Sequence, residues 1–83
     1  MDTIDISDSR ANFAHNVAWL RKKNGLSKKE MARLLKIGLW SLNKLESGIL
    51  PPKMSFEVVY RIYDNFGITP EAMIAKRLDS GNY

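Results

Sequence analysis

The 83-residue chain contains no cysteine, which removes disulfides, thiolate zinc sites and cysteine nucleophiles together. A domain this small must then be held by packing alone. It has one histidine, His15, so there is no histidine pair for a metal, and the scattered Ser, Asp and Glu residues show no base beside a nucleophile. Glycine-rich phosphate loops and metal-ligand spacings are missing too. No catalytic residue, metal or cofactor is expected. No apolar run approaches the ~18 residues a membrane helix needs, and residues 1–9 are acidic where a signal peptide would be basic and then apolar. Membrane spanning and secretion are therefore not expected, and a reducing cytoplasm is. What these absences leave is a binding module.

What is present is one domain's worth of ordinary globular chain. Hydrophobic residues make up 45% and charged residues 27%, unlike the composition of disordered segments. The net charge of +4 is unevenly distributed. Residues 1–9 carry Asp2, Asp5 and Asp8, and residues 54–83 are nearly balanced. Residues 10–53 hold ten Lys or Arg against only Glu30 and Glu46. A concentrated positive region is the footprint expected for a polyanion, nucleic acid first and an anionic membrane surface second, with a solvated lysine-rich face as the bland reading.

The apolar spacing is helical throughout. In residues 10–24, Phe13, Val17 and Leu20 form one stripe after a start flanked by Asp8 and Ser9, and Gly25-Leu26 makes a Schellman-type stop. Ser27 caps a second helix striped by Met31, Leu34 and Leu35. A tight turn at Lys36-Ile37-Gly38 leads to a third over residues 39–47, with Leu42 and Leu45 buried and Gly48 ending it. Pro51-Pro52 forces a loop. Ser55 then opens a helix with Phe56, Val59, Ile62, Tyr63 and Phe66 on its inner face, closed by Gly67. Thr69-Pro70-Glu71 is a strong helix start, for a last helix lined by Met73, Ile74 and Leu78. The fold class is all-α, a five-helix bundle, with residues 1–9 as an acidic arm, 10–78 as the domain and 79–83 as a frayed tail. His15 lies off the core stripe, as an exposed or boundary residue. Trp19 is partly packed.

The ordered set Val17-Ala18-Trp19-Leu20-Arg21, Gly25-Leu26-Ser27, Met31-Ala32, Leu35, Ile37, Leu42, Leu45-Glu46-Ser47-Gly48, Pro52 and Phe66-Gly67-Ile68 resembles the lambda-repressor and Cro type helix-turn-helix, or xenobiotic-response-element family. The resemblance covers residues 10 to 78. It implies a sequence-specific DNA-binding regulator, repressor-like and nucleoid-associated, with double-stranded DNA as partner and helix 39–47 in the major groove. Position by position, it implies that Leu39, Trp40 and Lys44 face base edges. Ser27, Lys28, Asn43 and Lys53 would meet phosphate, and Arg21 with Glu46 would form an ion pair between the ends of the first and third helices. Ala32 must be small, because two helices cross closely there.

The sequence also departs from that pattern. Lys36 stands where the turn usually has glycine, and Gly38 replaces the usual hydroxyl cap. The loop before Ser55 is about two residues longer than the family's. Leu39 and Trp40 are apolar where polar readers are typical, so hydrogen-bond specificity is thin. With Ile49 and Leu50 they form a patch that reads thymine methyls, or docks a protein partner in an antitoxin- or antirepressor-like role, or is covered by the longer loop. A homodimer is expected, because one short recognition helix discriminates poorly. Met73, Ile74 and Leu78 of the last helix are the expected self-contact.

Overall fold

The computed structural model describes residues 6–49 and 56–80, and among them it contains helices and no strand. The α-helices are α1 (Ile6–Lys23), α2 (Lys28–Leu35), α3 (Leu39–Glu46), α4 (Phe56–Phe66) and α5 (Pro70–Ala75), followed by one 3-10 turn, Leu78–Ser80. Helix α1 packs against α3, α5 and the 3-10 turn, while α2 packs against α3 and α4. One core results, built from Phe13, Val17 and Leu20 of α1, Met31, Ala32 and Leu35 of α2, and Leu42 and Leu45 of α3. Val58 and Ile62 of α4, Met73 of α5 and Leu78 complete it.

The turns follow from local chemistry. After α1, Gly25 sits at φ 65°, the left-handed conformation that glycine adopts without a Cβ clash. Its amide donates to Lys22 O at 3.1 Å and that of Leu26 to Arg21 O at 2.9 Å, which is the Schellman pattern. The α2 to α3 turn uses the same pattern with Lys36 at φ 55°. There the Lys36 amide donates to Arg33 O and that of Ile37 to Ala32 O. The strain expected of a lysine in that place is thus present. Gly38 is the N-cap of α3 and supplies no side-chain hydrogen bond.

Four features differ from the sequence reading. Helix α1 begins at Ile6 rather than near Arg10. Asp8 and Ser9 thus fall within the helix rather than flanking its start. Helix α4 turns Val58 and Ile62 inward, with Val59 and Phe66 half-buried, and leaves Phe56, Tyr60 and Tyr63 exposed. Phe56-Tyr60-Tyr63 and Val58-Ile62 are two apolar stripes on one helix, and packing against α2 chose the second. Leu78 belongs to the 3-10 turn rather than α5, and Leu78 and Met73 are fully buried in the molecule's own core. They are unavailable for self-contact, and Ile74 alone of the expected three remains exposed.

The fourth difference is at the tail, where Asp79 is part of an ordered turn whose carboxylate lies 3.0 Å from His15 Nε2. This end is fastened by a residue whose role the sequence reading missed. The fully buried Asn16 donates through Nδ2 to Met73 O at 2.8 Å and Lys76 O at 2.9 Å, and its Oδ1 accepts from the Leu78 amide at 2.8 Å. Asn12 Nδ2 donates to Ile74 O at 3.0 Å. Two asparagines four apart beside the Phe13-Val17 stripe were the available signal.

Candidate nucleic-acid interface

Helix α3 buries Leu42 and Leu45 completely, which turns the opposite side, Leu39, Trp40 and Asn43, toward solvent. This is the consequence of an i, i+3 buried pair on a two-turn helix. Leu39 is 43% and Trp40 63% exposed, and Ile49 just past the helix is 53% exposed. The loop expected to cover them, residues 50–55, lies outside the described residues. Leu50 and Lys53 lie outside the described residues. Lys44 stands one turn after Trp40, with its ammonium 5.3 Å from the ring centroid, so its charge lies beside the apolar patch.

Helix α2 borders that face. Its N-terminus is closed by a capping box in which Ser27 Oγ accepts from the Glu30 amide at 3.0 Å, and Glu30 Oε1 accepts from the Ser27 amide at 2.8 Å. Hydrogen bonding from Ser27, its backbone amide first and its side chain second, holds the Glu30 carboxyl below its ordinary range. Ser27 is thus engaged within the helix start. The amides of Lys28 and Lys29, in the first turn of α2, have no intrahelical acceptor. Lys28 Nζ donates to Asn43 Oδ1 at 2.9 Å, so two expected phosphate contacts from different helices meet at one point. Lys29, Arg33 and Lys36 add exposed charge along α2.

The orientation of α3 is set from behind. Arg21 Nε donates to Glu46 Oε2 at 2.8 Å and its Nη2 to Glu46 Oε1 at 3.1 Å, a two-point fork that fixes angle as well as distance. The side chains are only 13% and 8% exposed. The Glu46 hydrogen bond raises the Arg21 pKa against the opposing effect of burial. A third contact, Arg21 Nη1 to Leu26 O at 3.4 Å, ties the fork to the α1 to α2 turn. Ala32 is buried on α2, which packs against both α3 and α4.

A two-helix unit so arranged, with a short first helix, a three-residue turn, and a second helix presenting one face outward, is a helix-turn-helix in geometry. A family model described as a helix-turn-helix domain matches residues 15–78, from within α1 to the 3-10 turn. The chain belongs to the helix-turn-helix domain family. No curated protein and no solved structure matches it.

Within this helix-turn-helix domain the structure brings together Lys28, Asn43, Trp40 and Lys44, and it sets the Arg21–Glu46 fork at the rear. It also shows a role for Glu30 that the sequence reading passed over, although Ser27-Lys28-Lys29-Glu30 spells a capping box. Among the described residues there is no group of three or more His, Asp or Glu able to hold a metal. No helix there is long and apolar enough to cross a membrane.

Proposed function

We propose that this helix-turn-helix domain binds duplex DNA as a transcriptional regulator of repressor type, with α3 in the major groove and the start of α2 against the phosphate backbone. The observation that carries the reading is the outward side of α3, flanked by Lys28, Lys44 and the basic side chains of α2 and joined to α2 by the Lys28–Asn43 hydrogen bond. Lys28, Asn43 and the α2 start contact phosphate, with Ser27 acting through the cap, and Lys53 adds a phosphate contact from the loop. Lys44 favours guanine O6 and N7. Leu39 and Trp40 press on thymine methyls and sugar, because apolar side chains have no donor or acceptor with which to read base edges.

Exposure of Trp40 favours a second reading, in which Leu39, Trp40, Ile49 and Leu50 dock a protein and Trp40 is the anchor. Site selection from random duplex DNA, run with the natural chain and with Trp40→Ala, separates the two. An enriched motif that depends on Trp40 supports DNA reading. A motif untouched by Trp40→Ala, with loss of a copurifying protein, moves Trp40 to the protein-docking reading. No enriched motif in either chain overturns sequence-specific binding.

A further inference from the structure

On the side built from α1, α4 and α5 lies a groove of about 790 Å³, a volume within the range of small-molecule sites. Its α4 wall is aromatic, with Phe56, Tyr60 and Tyr63 all exposed. These three recur at i, i+4 and i+7, a stripe about 10 Å long on one helix face. None of the residues assigned to DNA lines the groove.

Two charged residues line the same groove, Arg10 from α1 and Glu71 from α5. Both are exposed, and among the described residues neither forms an ion pair, with the other or with a third group. No opposite charge lies three or four places from either along the chain, the spacing at which a helix supplies a partner of its own. The groove therefore offers an aromatic wall and one uncommitted charge of each sign. That combination decides between occupants. A ligand of single charge meets its own sign at Arg10 or at Glu71, and an uncharged one covers both charges without pairing either. A zwitterion matches the two together. An aromatic body suits the α4 wall, because rings pack on one another in offset or edge-on contact and ring faces accept a nearby ammonium.

We propose that this groove binds a small zwitterion with an aromatic body, the chemistry of a free aromatic amino acid. Its carboxylate pairs with Arg10, its ammonium with Glu71, and its ring packs on Phe56, Tyr60 and Tyr63. The planar guanidinium of Arg10 donates two parallel hydrogen bonds to a carboxylate, and the Glu71 carboxylate accepts from the ammonium. Such a ligand bridges α4 to α1 and α5, so its binding stabilises the folded domain by mass action. The site does not rest on DNA binding, and it leaves the outward side of α3 uncovered.

The test is NMR chemical-shift titration of the full chain with L-phenylalanine and with two probes that each lack one of its charges, phenylpropionate and phenethylamine. The natural chain binds L-phenylalanine with a dissociation constant on the order of 1 mM or tighter, as fits about a dozen non-hydrogen atoms, and binds each single-charge probe about tenfold more weakly. Arg10→Gln weakens L-phenylalanine about tenfold without weakening phenethylamine, and Glu71→Gln weakens it likewise without weakening phenylpropionate. Tyr60→Ala weakens all three, with helical content and melting temperature retained because that side chain is exposed. No saturable shift at the groove residues overturns the proposal, including the case in which a second copy or the chain's own undescribed residues cover the groove. Equal affinity for the three probes overturns it as well, as does a single-charge probe that binds more tightly than L-phenylalanine, or a loss on Arg10→Gln that phenethylamine shares.

Discussion

Asn16 fastens the C-terminal end of the domain to α1, because its one fully buried amide group serves three backbone partners. Among the described residues no buried side-chain nitrogen or oxygen lacks a partner, so removal of this amide orphans groups rather than exchanging them. Asn16→Ala is expected to destabilise by about 2–4 kcal/mol, read as a lowered urea midpoint at constant slope. An unchanged midpoint would mean that the C-terminal end is held by Met73 and Leu78 alone. Lys36 gives the opposite expectation. Its left-handed backbone is strained for any residue with a Cβ, and glycine relieves that strain at the cost of a more flexible unfolded chain. Lys36→Gly should therefore stabilise by about 0.5–1 kcal/mol, measured by thermal melting, and a destabilised variant would show that the lysine side chain contributes more than its backbone costs.

At the scale of the elements, α3 is aimed by the Arg21–Glu46 fork, and its loss leaves a mostly covered charge without a partner. Arg21→Ala and Glu46→Ala are each expected to cost about 1–4 kcal/mol. The double variant should cost less than the two added, since each single change already breaks the same pair; additive losses in chemical denaturation would remove the coupling. The start of α2 has a pH signature. Glu30 is held below its ordinary carboxyl value by hydrogen bonds from Ser27, so its contribution is present above about pH 4.3 and is lost as pH falls through the lower folded value. Glutamine completes a capping box without titrating. The stability difference between the natural chain and Glu30→Gln should therefore shrink on acidification, and a difference that is constant with pH would contradict the cap.

The same elements show what could be read in advance. Helices α2 and α3 were legible because Ser27, Gly25 and Gly48 are boundary signals of local chemistry, and the Leu42–Leu45 spacing points one way only. The inner face of α4 was not, because a helix carrying Phe56, Val58, Val59, Tyr60, Ile62, Tyr63 and Phe66 has two apolar stripes, and only the position of α2 decides between them. The Lys28–Asn43 bond was illegible for a related reason. It depends on how two helices cross, and spacing along the chain does not encode that. Arg21 and Glu46 were found through a resemblance, not through spacing.

At the scale of the whole molecule, the basic face of α2 and α3 is the one proposed for DNA. The most direct test of the DNA-binding claim is the salt dependence of affinity, measured on the selected duplex and on a scrambled one for the natural chain, Lys28→Ala and Lys44→Ala. Affinity should fall steeply with salt, with a log-log slope reflecting ~3–5 phosphates per protomer. Lys28→Ala should lower that slope by about one on both duplexes, while Lys44→Ala narrows the difference between them. Binding that ignores salt, or that is undetectable even at low salt, would contradict a DNA-binding role for the α2–α3 face.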